Sequence, residues 1–426
     1  MSAPVIGYVG MTHLGLCSAI AAASRGFVTR AIDRDAALVA RLDAGELPVV
    51  EPGLDDLLRE HRAQIRFSPD AAELRACDVI YVAPDVPTDD TGKSNLAVLD
   101  ALLEFTLANS RPDAVVVVLS QVPPGYTRAR QQPGRLLYYQ VETLIFGRAV
   151  ERAVGPERFI VGCADPAKPL PAAMSAFLQS FGCPILPMRF ESAELCKIAI
   201  NCCLVSSISV ANTLAELCEG IGANWSEIAP ALKLDRRIGA YAYLAPGLGI
   251  AGGNLERDLA TVVRLADGIG SDAGVVKAWI ANSRHRKRWA VDTINTAVLE
   301  ANPDATVAVW GLAYKESTAS VKNSPSLATI AALPDAKLVL HDPVVNASLV
   351  PHKKAAAAAD ALAALNGADA LMILTPWPQY RAIAPAAIAS AMRGSVVLDP
   401  YAVLDVDAAR AAGLHYYTLG RAPADN

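Results

Sequence analysis

The sequence has little charge and few aromatic side chains. Of its 426 residues, 19% are charged and 6% are aromatic, and the formal net charge is −5. Proteins that bind nucleic acid or an anionic membrane surface carry an excess of basic residues. No such excess is present here, and no uninterrupted apolar run reaches the length that spans a bilayer. We therefore expect a soluble protein with neither nucleic acid nor membrane as a partner.

Metal-type cysteine spacing is also missing. The chain has eight cysteines, two of which, Cys202 and Cys203, are adjacent. This distribution predicts reduced, mostly buried thiols and no metal site. Residues 1–30 begin at once with a predicted strand and a glycine loop, so we expect no signal peptide. We expect a cytoplasmic location.

The length exceeds the usual limit for one core, so two or three domains are expected. Short apolar strands alternate with helical stretches, first at 4–9, 28–32, 79–82, 114–119 and 159–161, and again at 306–310, 337–341, 370–374 and 395–398. Between them lie a long helix at 192–217 and a helical stretch at 255–299. The pattern predicts an α/β fold with two Rossmann-like, doubly wound parallel-sheet domains joined by a long central helical connector. The predicted domains are 1–188, 189–300 and 301–426.

A glycine-rich turn follows the first predicted strand. Gly10-Met-Thr-His-Leu-Gly15 matches G-x-G-x-x-G except for Thr12 at the second glycine. In such turns the first glycine allows a tight bend, and the pyrophosphate of a dinucleotide meets the helix N-terminus. Asp33 ends the second strand, where a carboxylate binds both ribose hydroxyls and favours NAD over NADP, although Arg34 leaves the opposite preference open. The predicted NAD-binding residues of this turn are Gly10, Thr12, His13, Leu14, Gly15 and Asp33.

Two alternatives stay open at this turn. It could be a glycine turn without any ligand, because a lone match of this kind is weak evidence. His13 lies inside the turn, and a histidine there is more often a packing residue at a helix start than a catalytic acid.

One central segment indicates the chemistry. Gly249-Ile-Ala-Gly-Gly-Asn-Leu-Glu-Arg-Asp258 resembles the active-site loop of the UDP-glucose/GDP-mannose 6-dehydrogenase family, Gly-Phe-Gly-Gly-Ser-Cys-Phe-Pro-Lys-Asp. That family oxidises a primary alcohol twice and holds the intermediate on the cysteine as a thiohemiacetal and then a thioester. Asn254 stands at the cysteine position, and a carboxamide forms neither adduct. The resemblance implies a member that has lost the second half of the reaction.

A helical segment resembles the same family. Ala193-Glu-Leu-Cys-Lys197-Ile-Ala-Ile-Asn201 is similar to its Glu-x-x-Lys-x-x-x-Asn helix. Residues four apart share a helical face, so Lys197 and Asn201 project together. The resemblance implies that Lys197 and Asn201 hold a substrate hydroxyl and a water together, and that Lys197 takes the alcohol proton. Asp258, at the end of the central segment, is expected to be a catalytic residue as well. The alternative is an exposed lysine on an amphipathic helix.

Other segments resemble the family with changes. Ala83-Pro-Asp-Val-Pro-Thr88 and Ser120-Gln-Val-Pro-Pro-Gly-Tyr-Thr127 are similar to segments that line the nicotinamide, which implies cofactor contacts for Pro87, Thr88 and Ser120. Gln121 stands at a family threonine. Val141-Glu-Thr-Leu-Ile-Phe146-Gly keeps one family glutamate as Glu142 but has Phe146 at the second, a general acid/base. Cys196, Cys202 and Cys203 differ from Lys197 in helix phase, so we expect no substitute nucleophile.

The remaining matches concern the substrate. Asp235-Arg-Arg-Ile-Gly239, Tyr243-Leu-Ala-Pro-Gly-Leu-Gly249 and Trp310-Gly-Leu-Ala-Tyr-Lys315 resemble family segments that contact a sugar nucleotide, in part across a dimer interface. They imply a nucleotide-sugar substrate, a homodimer, and substrate contacts by Arg237, Tyr243, Gly249, Tyr314 and Lys315. Asp399-Pro-Tyr401-Ala replaces the family's Asp-x-Arg-Asn, whose arginine contacts the nucleotide, so affinity or head group is expected to differ.

Three functions are compatible with these residues. The leading hypothesis is an NAD-dependent oxidoreductase that oxidises a CH–OH group of a nucleotide sugar, or of a related polyhydroxy substrate, once. The alternatives are a full 6-dehydrogenase with a rearranged site and a non-catalytic protein that binds NAD or a nucleotide sugar.

Overall fold

The computed structural model describes residues 3–89 and 92–422. They fall into two compact units, Met1–Ile200 and Asn201–Asn426.

The first unit contains one large sheet with helices between its strands. Its strands are β1 (Ile6–Val9), β2 (Thr29–Ile32), β3 (Ile65–Ser68), β4 (Val79–Val82), β5 (Val115–Val118), β6 (Leu136–Gln140), β7 (Phe159–Cys163) and β8 (Ile185–Arg189). Its helices are α1 (His13–Ser24), α2 (Ala36–Asp43), α3 (Leu54–Glu60), α4 (Ala97–Asn109), α5 (Tyr126–Ala129), α6 (Ala149–Val154) and α7 (Ala172–Gln179).

The sheet has eight strands in the order β3-β2-β1-β4-β5-β6-β7-β8. The central strands β1, β4 and β5 are buried along their whole length, because a parallel sheet is covered on both faces. Their uninterrupted apolar sequences made them predictable. One pair departs from the expected parallel arrangement, since β7 runs antiparallel to β6. Periodicity gives no strand direction, and so this reversal was not visible in the sequence.

A single helix, α8 (Phe190–Ile221), continues from the first unit into the second. Among the described residues it is the helix long and apolar enough to cross a membrane, with mean hydropathy 1.7 over its best window. Length and composition do not place it in a bilayer, because core helices of soluble proteins pass the same test. Its Glu194 carboxylate is buried and accepts hydrogen bonds from the backbone N–H groups of Gly125 and Thr127, so this end of the helix packs within a folded unit.

The second unit adds helices and a smaller sheet. Its helices are α9 (Trp225–Leu234), α10 (Asn254–Ile269), α11 (Gly274–Lys287), α12 (Trp289–Ile294), α13 (Pro325–Ala331), α14 (Pro378–Arg381), α15 (Pro385–Ala391) and α16 (Val406–Ala411). Its strands are β9 (Thr306–Trp310), β10 (Lys337–His341), β11 (Ala355–Ala357), β12 (Ala370–Ile373), β13 (Val396–Leu398) and β14 (His415–Tyr417).

The predicted helical stretch at 255–299 consists of several helices. Helix α10 ends at Ile269 and is followed by Gly270, which has a φ of +70°; α11 and α12 come next. Glycine adopts this left-handed conformation without strain and commonly ends helices.

The second sheet is parallel throughout, in the order β11-β10-β9-β12-β13-β14. The predicted fold class, two parallel-sheet α/β domains joined by a long central helix, is therefore confirmed. The three predicted domain boundaries stay a prediction.

Candidate functional site

The turn after β1 has the geometry of a dinucleotide-binding turn. Gly10 has a φ of +93°, which favours glycine, and a Cβ atom on Gly15 would lie 1.9 Å from the carbonyl oxygen of Gly10. Larger residues are thus excluded at both positions. Thr12 precedes the first residue of α1, His13, and the buried Leu14 side chain joins the core of the unit. The helix begins as closely after the strand as NAD binding requires.

Asp33 lies just beyond β2, next to this turn. Its Oδ2 accepts a hydrogen bond from the N–H of Met11 at 2.7 Å, and its Oδ1 accepts one from the N–H of Asp35 at 3.0 Å. A carboxylate offers about four acceptor sites, so these two bonds leave capacity for ribose hydroxyls. Gly10, Gly15 and Asp33 together fit a dinucleotide.

The His13 side chain faces away from solvent and toward a carboxylate that the sequence prediction missed. Its Nε2 lies 2.8 Å from Oε1 of Glu51, whose side chain is 1% exposed. The same carboxylate accepts hydrogen bonds from the N–H groups of Gly147 and Ala149, and the Phe146 ring packs on His13 with centroids 4.4 Å apart. Glu51 therefore links the dinucleotide turn to the segment before α6. This supports the interpretation of His13 as a packing residue.

The segments after β4 and β5 are held to each other and to the turn. The buried hydroxyl of Ser120 donates to the carbonyl of Pro84, so it positions the backbone of the segment that carries Pro87 and Thr88. Thr88 forms an isolated bridge with Ser94. Gln121 is half-buried beside Ser120.

Asp85 was not singled out from the sequence. Its N–H donates to Oγ1 of Thr12 at 2.8 Å, and its Oδ2 accepts from the N–H of His13 at 3.1 Å. The hydroxyl of Thr12, which stands at the second glycine position of the motif, thus holds the backbone of the segment after β4.

Glu194 is the glutamate of the Glu-x-x-Lys segment, and its contacts show what the acid does there. Its bonds to Gly125 and Thr127 hold the Pro-Pro-Gly segment against α8, and burial raises the pKa of its carboxyl group above the usual range. Lys197 lies one turn further along α8 and is half-buried. Glu194 therefore fixes the helix that presents Lys197.

Glu142 lies just beyond β6 and is half-buried. Its carboxylate accepts a hydrogen bond from the N–H of Leu144. Together with Glu51 and Asp85 it also adds to the effect of burial in raising the pKa of the Cys17 thiol. Three carboxylates thus lie near Cys17 of α1.

In the second unit, two of the predicted catalytic residues are in contact. The Asn201 side chain donates to Oδ2 of Asp258 at 2.5 Å, and Oδ1 of Asp258 lies 3.2 Å from Nε of Arg257. All three residues are buried. Because Asp258 fixes the amide, the carbonyl oxygen of Asn201 has a defined direction in which to accept a hydrogen bond.

Asn254 is the first residue of α10 and is exposed. The loop before it is fixed by two glycines with positive φ, Gly249 and Gly252. A Cβ on Gly249 would lie 2.5 Å from the carbonyl oxygen of Ser283, and one on Gly252 would lie 3.1 Å from the ring of Tyr314. The structure thus brings the predicted substrate residue Tyr314 to the predicted catalytic loop.

A second set of contacts holds the first turn of α10 against neighbouring segments. Glu256 accepts from Nζ of Lys287 at 2.8 Å and from the amide of Asn323, which also donates to the carbonyl of Gly252 at 3.0 Å. These polar contacts and the Tyr314 ring both hold the loop before Asn254 at Gly252.

The remaining predicted substrate residues differ in position. The Nζ of Lys315 lies 5.8 Å from the centre of the Tyr314 ring, whereas Arg237 and Tyr243 are exposed. Arg237 is 88% exposed and forms a bidentate ion pair with Asp235 within its own turn. Tyr243 is 46% exposed. Lys315 is half-buried next to Tyr314.

Similarity to known proteins agrees with this geometry. Residues 5–180 match the NAD binding domain of the UDP-glucose/GDP-mannose dehydrogenase family, residues 191–284 its central domain and residues 308–406 its UDP binding domain. A UDP-glucose 6-dehydrogenase of Pseudomonas aeruginosa is 30% identical over 417 residues, which cover 92% of each chain. The chain belongs to the UDP-glucose/GDP-mannose dehydrogenase family.

Other members show the same extent of similarity. The UDP-glucose 6-dehydrogenase TuaD of Bacillus subtilis is 28% identical over 432 residues, 98% of this chain and 93% of that protein. The structure of a UDP-glucose dehydrogenase from Pyrobaculum islandicum superposes with a TM-score of 0.84 at 26% identity, over 99% of this chain and 98% of that one. The protein is thus an NAD-dependent enzyme of the nucleotide-sugar dehydrogenase family, and its UDP binding domain implies a nucleotide-sugar substrate.

Proposed function

We propose that this dehydrogenase oxidises one CH–OH group of its nucleotide sugar by a single hydride transfer and forms no thioester. The observation that carries the proposal is the carboxamide of Asn254 at the first position of α10, in the loop that resembles the family's cysteine loop. An amide nitrogen or oxygen does not form the covalent adduct that a second oxidation needs.

One cysteine of the second unit, Cys202, supports this proposal. Cys202 lies in the core cluster that includes α10. Burial, with a further contribution from Asp258, raises the pKa of its thiol to about 11. Only the thiolate is a nucleophile, so at neutral pH Cys202 is a poor replacement for the missing group.

The roles of the remaining residues follow from their chemistry. Bound NAD supplies the hydride acceptor. Lys197 takes the proton of the substrate hydroxyl, and Asn201, fixed by Asp258, accepts a hydrogen bond from that hydroxyl. The exposed Phe146 side chain contributes no proton transfer, in agreement with a reaction that needs no hydration of an aldehyde. Arg237, Tyr243, Gly249, Tyr314 and Lys315 are proposed to bind the nucleotide sugar, and Glu142 and Gln121 to line the reacting end.

The test is the stoichiometry of the reaction with a panel of UDP- and GDP-sugars. We expect one NADH per substrate and a product two mass units lighter. Two NADH per substrate with a carboxylate product would show a full 6-dehydrogenase with a rearranged site. NAD binding without turnover on any sugar of the panel would also contradict the proposal.

Lys197→Ala is expected to slow hydride transfer by about 10²–10⁴-fold, the usual contribution of a general base. The affinity for NAD is expected to stay within about twofold, because the turn at Gly10 is unchanged. Single-turnover absorbance at 340 nm and calorimetric titration with NAD measure the two quantities. An unchanged hydride-transfer rate would remove Lys197 from its assigned role.

We also propose the three-domain organisation 1–188, 189–300 and 301–426, with homodimerisation through α8. Val210, Leu214, Leu217 and Ile221 are 50%, 38%, 53% and 74% exposed. Their spacing of three and four residues puts them on one helical stripe, and contiguous apolar surface of this kind is usually covered by a partner.

Leu214→Glu is expected to weaken the dimer by at least tenfold, because it puts a charge within the apolar stripe. Leu214→Met, which keeps the stripe apolar, is the matched control. Light scattering after gel filtration measures the mass of both variants. A wild-type protein that is monomeric at micromolar concentration would rule out this interface.

A further inference from the structure

An acidic side chain occupies the start of α1. His13 is the first residue of that helix, and its N–H donates to Oδ2 of Asp85 at 3.1 Å. The N–H of Asp85 in turn donates to Oγ1 of Thr12 at 2.8 Å. Two reciprocal hydrogen bonds thus hold the segment after β4 against the dinucleotide turn.

The N–H that Asp85 takes is one that a dinucleotide needs. In turns of this kind the pyrophosphate is held by the N–H groups at the start of the helix, where the helix dipole also favours negative charge. The Asp85 carboxylate and a pyrophosphate are both anions. One N–H does not serve both well, and the two charges repel each other across a short distance.

The surrounding charges do not neutralise Asp85. Glu51, Asp85 and Glu142 act in the same direction on the Cys17 thiol, whose pKa burial and these carboxylates raise. Across residues 3–89 and 92–422, the bonds to the Asp85 side chain come from backbone and not from lysine or arginine. The carboxylate that accepts the His13 N–H is therefore not paired with a basic side chain in the described part of the chain.

We propose that Asp85 is an internal competitor of the cofactor pyrophosphate, and that it sets the affinity of this dehydrogenase for NAD by holding the His13 N–H. Thr12, at the middle glycine position, takes part because its hydroxyl anchors the backbone of Asp85. The proposal rests on NAD binding alone. It is independent of whether the substrate is oxidised once or twice.

The proposal is tested by equilibrium binding of NAD and of ADP-ribose to Asp85→Asn and Asp85→Ser. Asparagine keeps an amide acceptor for the His13 N–H but removes the charge. Serine removes the charge and leaves only a hydroxyl on a shorter side chain. We expect both variants to bind NAD and ADP-ribose roughly tenfold more tightly than wild type. The gain should shrink as ionic strength rises, because salt screens the repulsion. Adenosine, which has no phosphate, should bind equally to all three proteins.

Asp165→Asn is the matched control. Asp165 also accepts a backbone hydrogen bond, from Ala167 at 3.1 Å, but it follows β7, whose carboxyl end lies at the opposite sheet edge from that of β1. Its NAD affinity should equal that of wild type. The proposal is overturned if Asp85→Asn binds NAD no more tightly than wild type, or if Asp165→Asn gains as much.

Discussion

The turn after β1 and the turn after β9 share the same framework. In each, a strand ends at a glycine with nearly the same positive φ, +93° at Gly10 and +94° at Gly311. In each, the N–H of the next residue donates to an aspartate just beyond the neighbouring strand, Met11 to Asp33 at 2.7 Å and Leu312 to Asp342 at 2.6 Å. The strand order also agrees, since β3-β2-β1-β4-β5-β6 corresponds to β11-β10-β9-β12-β13-β14.

The two turns differ in how many donors their aspartate has already bound. Asp33 accepts two backbone hydrogen bonds. Asp342 is bonded to four backbone N–H groups and the indole N–H of Trp377, so it has no acceptor site left for a ribose. Helix α1 also begins at His13, whereas α13 begins only at Pro325. The same framework therefore keeps a dinucleotide site in one sheet and closes it in the other.

The glycines give the largest expected effect. A Cβ on Gly311 would lie 2.4 Å from Cβ and 2.6 Å from N of Thr375, whereas one on Gly10 would lie 3.1 Å from N of Pro84. Gly311→Ala is expected to lower the free energy of unfolding by about 4 kcal/mol, and Gly10→Ala by about 2 kcal/mol. Urea denaturation followed by circular dichroism measures both. Equal losses would mean that the second turn is not the tighter one.

Substitution of the two aspartates is expected to affect different quantities, stability for Asp342 and NAD binding for Asp33. Asp342→Asn puts an amide NH₂ among five donors and should lower the free energy of unfolding by about 2–3 kcal/mol. Asp33→Asn should change that free energy by less than about 1 kcal/mol but weaken NAD binding about tenfold, because one ribose acceptor is lost. Denaturation and calorimetric titration of both variants check this. An equal effect of the two variants on NAD affinity would break the comparison.

The sequence predicted the positions of many strands but few of the contacts between distant residues. Strands of consecutive apolar residues, such as β4 and β5, were located almost to the residue. The prediction missed five strands. They are β3, β6 and β14, together with β8, which contains Pro187 and is largely exposed, and β11, which consists of alanine. Strand β11 has no β-branched or aromatic residue and β8 has only Ile185, whereas such residues are typical of strands. Strands β3, β6 and β14 do carry them, so composition does not explain those three omissions.

The site residues that could be predicted were those that belong to a short sequence motif. Gly10, Gly15 and Asp33 follow from the turn and its spacing. Glu51 bonds His13 across 38 positions and Gly147 across 96, and Asp85 reaches His13 across 72. These partners are brought together by the sheet order and leave no periodic mark in the sequence. Glu194 lay inside a recognised motif, but its role became evident only through its bonds to the Pro-Pro-Gly segment.

The smallest expected effect concerns the fifth strands. The first sheet carries the neutral Ser120 beyond β5, and the second carries Asp399 beyond β13, where burial raises the pKa of its carboxyl group. Between the unfolded pKa of about 4 and the higher folded pKa, folded Asp399 holds a proton that the unfolded chain has released. Its contribution therefore makes the protein less stable as pH rises through that window.

Asp399→Asn tests this contribution because asparagine keeps the acceptor for Tyr416 and for the N–H of Leu404 without a titrating proton. From pH 4 upward, the urea midpoint of the variant should fall less steeply than that of wild type. Ser120→Ala, which removes a neutral hydroxyl at the corresponding place in the first sheet, should shift the midpoint by the same amount at every pH. Parallel curves for wild type and Asp399→Asn would mean that Asp399 does not titrate differently in the folded and unfolded chain, and the two strand ends would then differ in hydrogen bonding alone.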